Sequence, residues 1–159
     1  MDILAIICAS TAILALLWMG WIDLKLWILP NELVGLLAVV ALPFHFAIDW
    51  LYGGWLLFVF GAIIGGGALW CIRYVANRVY GFETLGLGDI KLMSAVGLWL
   101  GPEPVLMALS VGAFCGVLHA VVIAVRAKCS LNQMMLPAGP GFITGSLLVA
   151  FYTYGELLL

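Results

Sequence analysis

Charge is scarce in this sequence. Only 9% of its 159 residues are Asp, Glu, Lys or Arg, against about 25% in a soluble domain. Mean hydropathy is +1.24. So little polar material cannot cover a globule of this size in water, which excludes a soluble enzyme, a disordered segment and a small disulfide scaffold. A basic surplus is also missing. The net charge is −2, so little is available to neutralise a phosphate backbone, and a nucleic-acid partner is excluded as well. Repeats, low-complexity tracts and linkers are absent, and residues 1–159 read as one domain. What remains is an integral membrane protein.

A membrane helix needs about 20 apolar residues at 1.5 Å each to cross roughly 30 Å of hydrocarbon. Continuous apolar runs cover residues 3–22, 33–48, 51–72, 90–100, 104–125 and 136–154. Between them lie polar or Pro/Gly-marked stretches at 23–32, 49–50, 73–89, 101–103 and 126–133. Transmembrane strands would instead alternate in segments of about 10 residues. The expectation is therefore an all-α polytopic protein, a bundle of about six transmembrane helices. Met1 and Asp2 do not form the basic start of a cleavable signal, and no small-residue cleavage site follows the first run, so the first helix is expected to be retained.

The cations predict orientation. Lys25, Arg73, Arg78, Lys91, Arg126 and Lys128 all fall after odd-numbered helices or at the entry to the fourth. With the N-terminus outside, all six lie on the cytoplasmic side, as the positive-inside rule requires. Both termini are then expected on the non-cytoplasmic side.

Against that frame the acidic residues sort by side. Asp2, Asp49, Glu103 and Glu156 mark outer ends, while Glu32 and Glu83 fall in cytoplasmic loops, solvated or near a helix start. Asp23 and Asp89 differ, because apolar sequence surrounds each. Ionisable groups at membrane depth are costly and mark functional interiors or water-filled cavities. The structural alternative pairs Asp23 with Lys25 and Asp89 with Lys91, but residues two apart do not face each other on a helix.

Residues 89–100 make about 18 Å of helix, short of a full crossing. With its outer end fixed by Gly101-Pro-Glu-Pro104, Asp89 is expected some 10 Å below the cytoplasmic surface. The first stretch, 3–29, exceeds one crossing and can slide or tilt until Asp23 reaches the same depth. Two carboxylates about 4 Å apart at an effective dielectric of about 20 repel by roughly 4 kcal/mol. One then keeps its proton while the other stays anionic, the acid/base division used by aspartic proteases.

Three segments carry a family resemblance. Asp23-Leu-Lys-Leu-Trp-Ile-Leu-Pro-Asn31 resembles the first catalytic motif of type IV prepilin leader peptidases, an Asp followed by a hydrophobic-Pro-Asn turn. The run from Gly86 through Leu87, Gly88 and Asp89 to Lys91 resembles the second, the GxGD segment. Leu136-Pro-Ala-Gly-Pro140 is similar to the Pro-x-Gly-Pro element before the last helix. The resemblance implies that Asp23 and Asp89 are the catalytic pair, and that the substrate is a pilin-like precursor with a short basic leader. That leader would be cut at the cytoplasmic face of a bacterial or archaeal inner membrane.

Around this pair, Gly86 and Gly88 are expected to let the backbone approach a substrate closely. Pro30 is expected to stop or kink the first helix, and Asn31 to cap the second. Lys91 either tunes the surroundings of Asp89 or snorkels to the interface. Longer family members carry paired CxxC motifs and methylate the new pilin N-terminus. Here Cys8, Cys71, Cys115 and Cys129 are isolated, so the short, peptidase-only form is implied, without metal or cofactor.

Other residues read as structural. His119 suits an interhelical hydrogen bond, and His45 lies near an outer loop. Gly61, Gly65, Gly66 and Gly67 give a small-residue face for helix packing, with a homodimer interface as the alternative. Trp50 and Trp99 fit interfacial anchors; Trp21 and Trp27 bracket Asp23 and could wall the site. Arg73 and Arg78 are explained by topology alone. Two other functions fit the same letters: a GxGD protease with different membrane substrates, and a proton- or cation-coupled transporter or assembly factor.

Overall fold

The computed structural model describes residues 3–49, 51, 54–127 and 137–158, without the side chains of residues 127 and 156–158. Asp2, Trp50, Lys128, Cys129 and Leu136 lie outside the described residues, as does the Glu156 side chain. Six helices follow one another: α1 (Ile3–Leu26), α2 (Asn31–Ala47), α3 (Trp55–Tyr80), α4 (Leu87–Leu100), α5 (Pro102–Ala127) and α6 (Gly139–Leu158). No strand occurs among the described residues, so the all-helical expectation holds. Of the six, α1, α3 and α5 are by themselves long and apolar enough to cross a membrane.

The surface has the inverted character of a membrane protein. Ile3, Val39, Phe46, Val79, Val125 and Tyr152 are more than 60% exposed, whereas Asp23, His45, Asp89 and Ser146 are buried. In lipid an exposed apolar face carries no cost, while a buried polar group must find a partner or a wetted cavity.

The shortest helix is the hub. With 14 residues, α4 reaches only about 21 Å, yet it packs against α2, α3, α5 and α6, while α1 closes the bundle against α2 and α6. Eight of its residues are buried, from Asp89 through Leu92, Met93 and Val96 to Trp99 and Leu100. Glycine makes this crowding possible. A Cβ on Gly61 would lie 2.7 Å from the Gly101 Cα, and one on Gly65 would lie 2.9 Å from the Val105 side chain and strike the Met93 carbonyl. Gly66 meets Ser94, whereas Gly67 faces open space. Three of the four glycines singled out in α3 thus serve contacts within the chain.

A second glycine contact joins α5 to α6. A Cβ on Gly112 would come within 2.9 Å of the Phe142 Cα, and one on Gly141 within 2.7 Å of the Gly112 carbonyl oxygen. Both helices carry the GxxxG spacing, Gly112–Gly116 and Gly141–Gly145, which lets backbones approach closely. Between α4 and α5 the chain reverses at Gly101 alone, at φ 82°, a value that favours glycine.

Several boundaries and placements depart from expectation. Residues 73–80 continue α3 rather than forming a loop, because Gly81 at φ 75° ends the helix, donating from its backbone N–H to the Asn77 carbonyl at 2.9 Å. This is the left-handed glycine stop. Trp99 is not an interfacial anchor: it is 8% exposed, and its indole N–H donates to the Leu37 carbonyl at 2.8 Å. His45 lies in the last turn of α2, near the outer loop as expected, and is 1% exposed, stacked on Phe58 with ring centres 3.6 Å apart and hydrogen-bonded through Nε2 to the Leu98 carbonyl. With Phe44 and Tyr154, whose hydroxyl bonds the Trp99 carbonyl, these rings fill the end of the core opposite Asp89. His119 makes no hydrogen bond among the described residues.

The α3–α4 contact makes a quantitative expectation. Gly61→Ala forces a methyl group against backbone and should destabilise the protein by about 1–3 kcal/mol, as overpacking does. Gly67→Ala should be neutral. Thermal denaturation of the two variants in detergent distinguishes them.

Candidate active site

Asp23 sits in the last turn of α1 and Asp89 in the first turn of α4. Although distant in sequence, both line one cavity of about 360 Å³ at the end of the bundle where α1 finishes and α2, α4 and α6 begin. Both side chains are buried, at 5% and 7% exposure, and each carboxylate lies within electrostatic reach of the other. The cavity also receives Trp27, Leu29, Asn31, Thr84, Leu85, Gly86, Gly88, Lys91 and Pro137.

Local sequence sets each acid's position. Gly86 is the N-cap of α4, so Asp89 occupies the third helical position. From there its carboxylate lies against Gly86, whose backbone N–H faces it, where partial positive charge favours an anion. A side chain on Gly86 would lie 3.2 Å from Asp89 Oδ2, and one on Gly88 would press on Leu29 at 3.0 Å. Both glycines therefore keep space for the acid and the adjacent chain.

Asp23 is approached by the start of α6. The Gly139 amide faces its carboxylate, but Oδ2 makes no hydrogen bond of good geometry. A Cβ at Gly139 would lie 3.0 Å from the Asp23 Cγ and would collide with Oδ2. Each acid thus meets the N-terminal end of a helix, where partial positive charge favours an anion. Gly139 belongs to the Pro-Ala-Gly-Pro element, which the sequence pattern singles out without indicating that its glycine abuts Asp23.

Neither lysine neutralises the pair. Lys25 turns away and places Nζ 3.8 Å from the centre of the Trp21 ring, a cation–π contact. Lys91 Nζ donates to Asn31 Oδ1 at 2.9 Å. Among the described residues the ion pair formed is Arg73 with Glu83, at 2.8 Å. Glu83 is thus exposed but paired, rather than merely solvated.

The first motif is corrected in its details. The chain leaves α1 at Trp27, which has φ 57° and a backbone N–H bonded to the Asp23 carbonyl at 3.0 Å. A left-handed non-glycine residue at such a place is strained. Trp27, not Pro30, makes the turn that carries residues 27–30 past the cavity. Pro30 is instead the N-cap of α2, with no side-chain cap. Asn31 does not cap the helix, because its side-chain oxygen is taken by Lys91. The Lys91–Asn31 bond links the segment after Asp23 to the helix that carries Asp89. Trp21 stays exposed, while Trp27 walls the cavity. No group of three or more His, Cys, Asp or Glu side chains among the described residues is arranged to hold a metal ion.

Known proteins resemble this chain along most of its length. A prepilin leader peptidase/N-methyltransferase of Burkholderia pseudomallei is 32% identical over 141 residues, covering 87% of this chain and 44% of that protein. The protein of the same name from Escherichia coli K12 is 30% identical over 129 residues, 80% of this chain and 55% of its own length. One from Aeromonas hydrophila is 36% identical over 119 residues, 68% and 39% of the two chains. The chain therefore spans about half the length of the curated relatives it matches. No solved structure matches it. The type IV leader peptidase family matches residues 10–121, a span that includes both Asp23 and Asp89, and the chain belongs to that family.

Proposed function

We propose that this membrane protein is an aspartic endopeptidase that removes leaders from type IV pilin-like precursors, with Asp23 and Asp89 as its catalytic pair. One observation carries the reading: two buried carboxylates from separate helices converge on a single cavity, and among the described residues neither is paired with a cation. Lysine partners would have made both acids structural. Lys25 and Lys91 are engaged elsewhere.

In the proposed reaction the two acids share one proton. The anionic carboxylate takes a proton from water as its oxygen attacks the scissile carbonyl, while the neutral acid hydrogen-bonds to that carbonyl oxygen and keeps its proton. Collapse of the tetrahedral intermediate breaks the C–N bond, and the leaving nitrogen takes a proton from the pair. Water is consumed, and the pair ends as it began. The N-terminal ends of α4 and α6 support the net negative charge that this division requires.

Orientation follows from charge. Lys25, Arg73, Arg78, Lys91 and Arg126 all lie towards the bundle end that carries the cavity, and Asp49 and Glu103 towards the other. By the positive-inside rule the cavity opens to the cytoplasm, where a precursor would present its leader. Residues 1–159 act as one membrane domain in this reading.

Co-expression with candidate pilin precursors, followed by mass determination of the product N-terminus, tests the reading. Asp23→Asn and Asp89→Asn are each expected to cut cleavage by at least about 100-fold while the protein still inserts. Retained cleavage in either variant removes the pair, and ion-dependent flux without proteolysis would indicate a transporter. Gly139→Ala should lower turnover by roughly 100-fold by displacing Asp23, the scale of a 1 Å misplacement. Gly35→Ala, whose added Cβ meets nothing within 4 Å, should leave turnover unchanged.

A further inference from the structure

The loop of residues 81–86 leads directly to Asp89, and two side chains of α3 hold it. Arg73 and Asn77 stand one turn apart on that helix and reach the same stretch of loop. Arg73 Nη2 donates to Glu83 Oε1 at 2.8 Å, and its Nη1 donates to the Leu85 carbonyl oxygen. Asn77 Oδ1 accepts both the Thr84 backbone N–H, at 2.8 Å, and the Thr84 hydroxyl, at 2.9 Å. Three consecutive residues are therefore tied down immediately before Gly86. Thr84 and Leu85 line the cavity, and Gly86 abuts the Asp89 carboxylate, since a Cβ there would lie 3.2 Å from Oδ2.

We infer that Arg73 and Asn77 are positioning residues that set the register of the loop, and through Gly86 the place of Asp89. The inference rests on the peptidase reading for its catalytic consequence, but the brace itself is a property of the fold. The members of the brace differ in weight. Glu83 is 82% exposed in its side chain, and an ion pair in such a place contributes little. The Arg73 side chain is only 13% exposed, and its bond to Leu85 reaches backbone. Asn77 matters through its acceptor oxygen: the amide nitrogen takes no part in either bond to Thr84. Without these contacts the loop would rest on the Gly81 turn, the packing of Leu85 against the core and the start of α4, and Asp89 would share its added freedom.

This division of roles sets the test on the full chain in detergent or nanodiscs. Asn77→Leu removes the acceptor at similar size, whereas Asn77→Asp keeps it. With a pilin precursor as substrate, Asn77→Leu should lower kcat by about tenfold with KM changed less than about twofold, the pattern of a disturbed reacting group. Asn77→Asp should restore kcat. Arg73→Ala should behave like Asn77→Leu, and Glu83→Gln like the wild type. Independently of activity, amide hydrogen exchange across residues 82–89 should accelerate in Asn77→Leu and not in Asn77→Asp. Equal kcat and equal exchange in wild type and Asn77→Leu would overturn the inference, as would loss of kcat in both Asn77 variants. A wild type that cleaves no precursor overturns the peptidase reading instead, and the exchange arm then decides the brace alone.

Discussion

Two carboxylates inside a membrane bundle must be sheltered from lipid and open to water at once, and the rest of the structure follows from that requirement. An ionisable side chain facing hydrocarbon costs several kcal/mol. Asp23 and Asp89 therefore point inwards, and the cavity they share lies at the bundle's end rather than at its middle. The central helix has to start low enough to carry Asp89 and be enclosed well enough to exclude lipid. A helix of 14 residues surrounded by four others meets both demands.

Glycine is the material of that enclosure. With lipid as solvent, apolar side chains gain little by leaving it for a helix interface, and close backbone approach supplies the dispersion contact instead. Gly61 and Gly65 bring α3 onto α4, and Gly112, Gly141 and Gly145 bring α5 onto α6. The second contact also bears on the site, because it fixes the helix whose first residue, Gly139, abuts Asp23. At the opposite end the task falls to aromatic rings, with Trp99, His45 and Tyr154 bonding to backbone carbonyls. One end of the core is thus tightly tied, while the other holds a cavity.

The pair of acids was legible because their surroundings are so apolar. Asp23 and Asp89 stand out in hydrophobic sequence, and the short fourth run already implied that Asp89 lies at depth. The order of helices was legible for the same reason. What could not be read were the partners. Arg73 and Asn77 look like loop residues by composition, yet they belong to α3, since a polar helical face is satisfied when a returning loop covers it. Gly81 was the available signal for the true end of that helix. Trp99 is not legible as a core residue because amphipathic rings suit an interface and a core equally; the carbonyl of Leu37 that receives its indole belongs to another helix. Asn31 suits an N-cap by residue type, but its oxygen is claimed by Lys91 across the cavity.

The disparity between α4 and its neighbour α3, which has 26 residues, has a consequence for any chain that would be cut. A membrane segment lying beside the bundle as a regular helix keeps each backbone carbonyl bonded to its own amide four residues on, and its side chains shield the peptide plane. Asp23 and Asp89 sit inside the bundle and below its rim, out of reach of such a wrapped backbone. On the proposed function, a substrate would have to unravel locally and feed a stretched strand of a few residues down into the cavity. Susceptibility should therefore track how readily a peptide loses a turn at the point of scission, which makes helix-end stability a second determinant of choice beside side-chain identity.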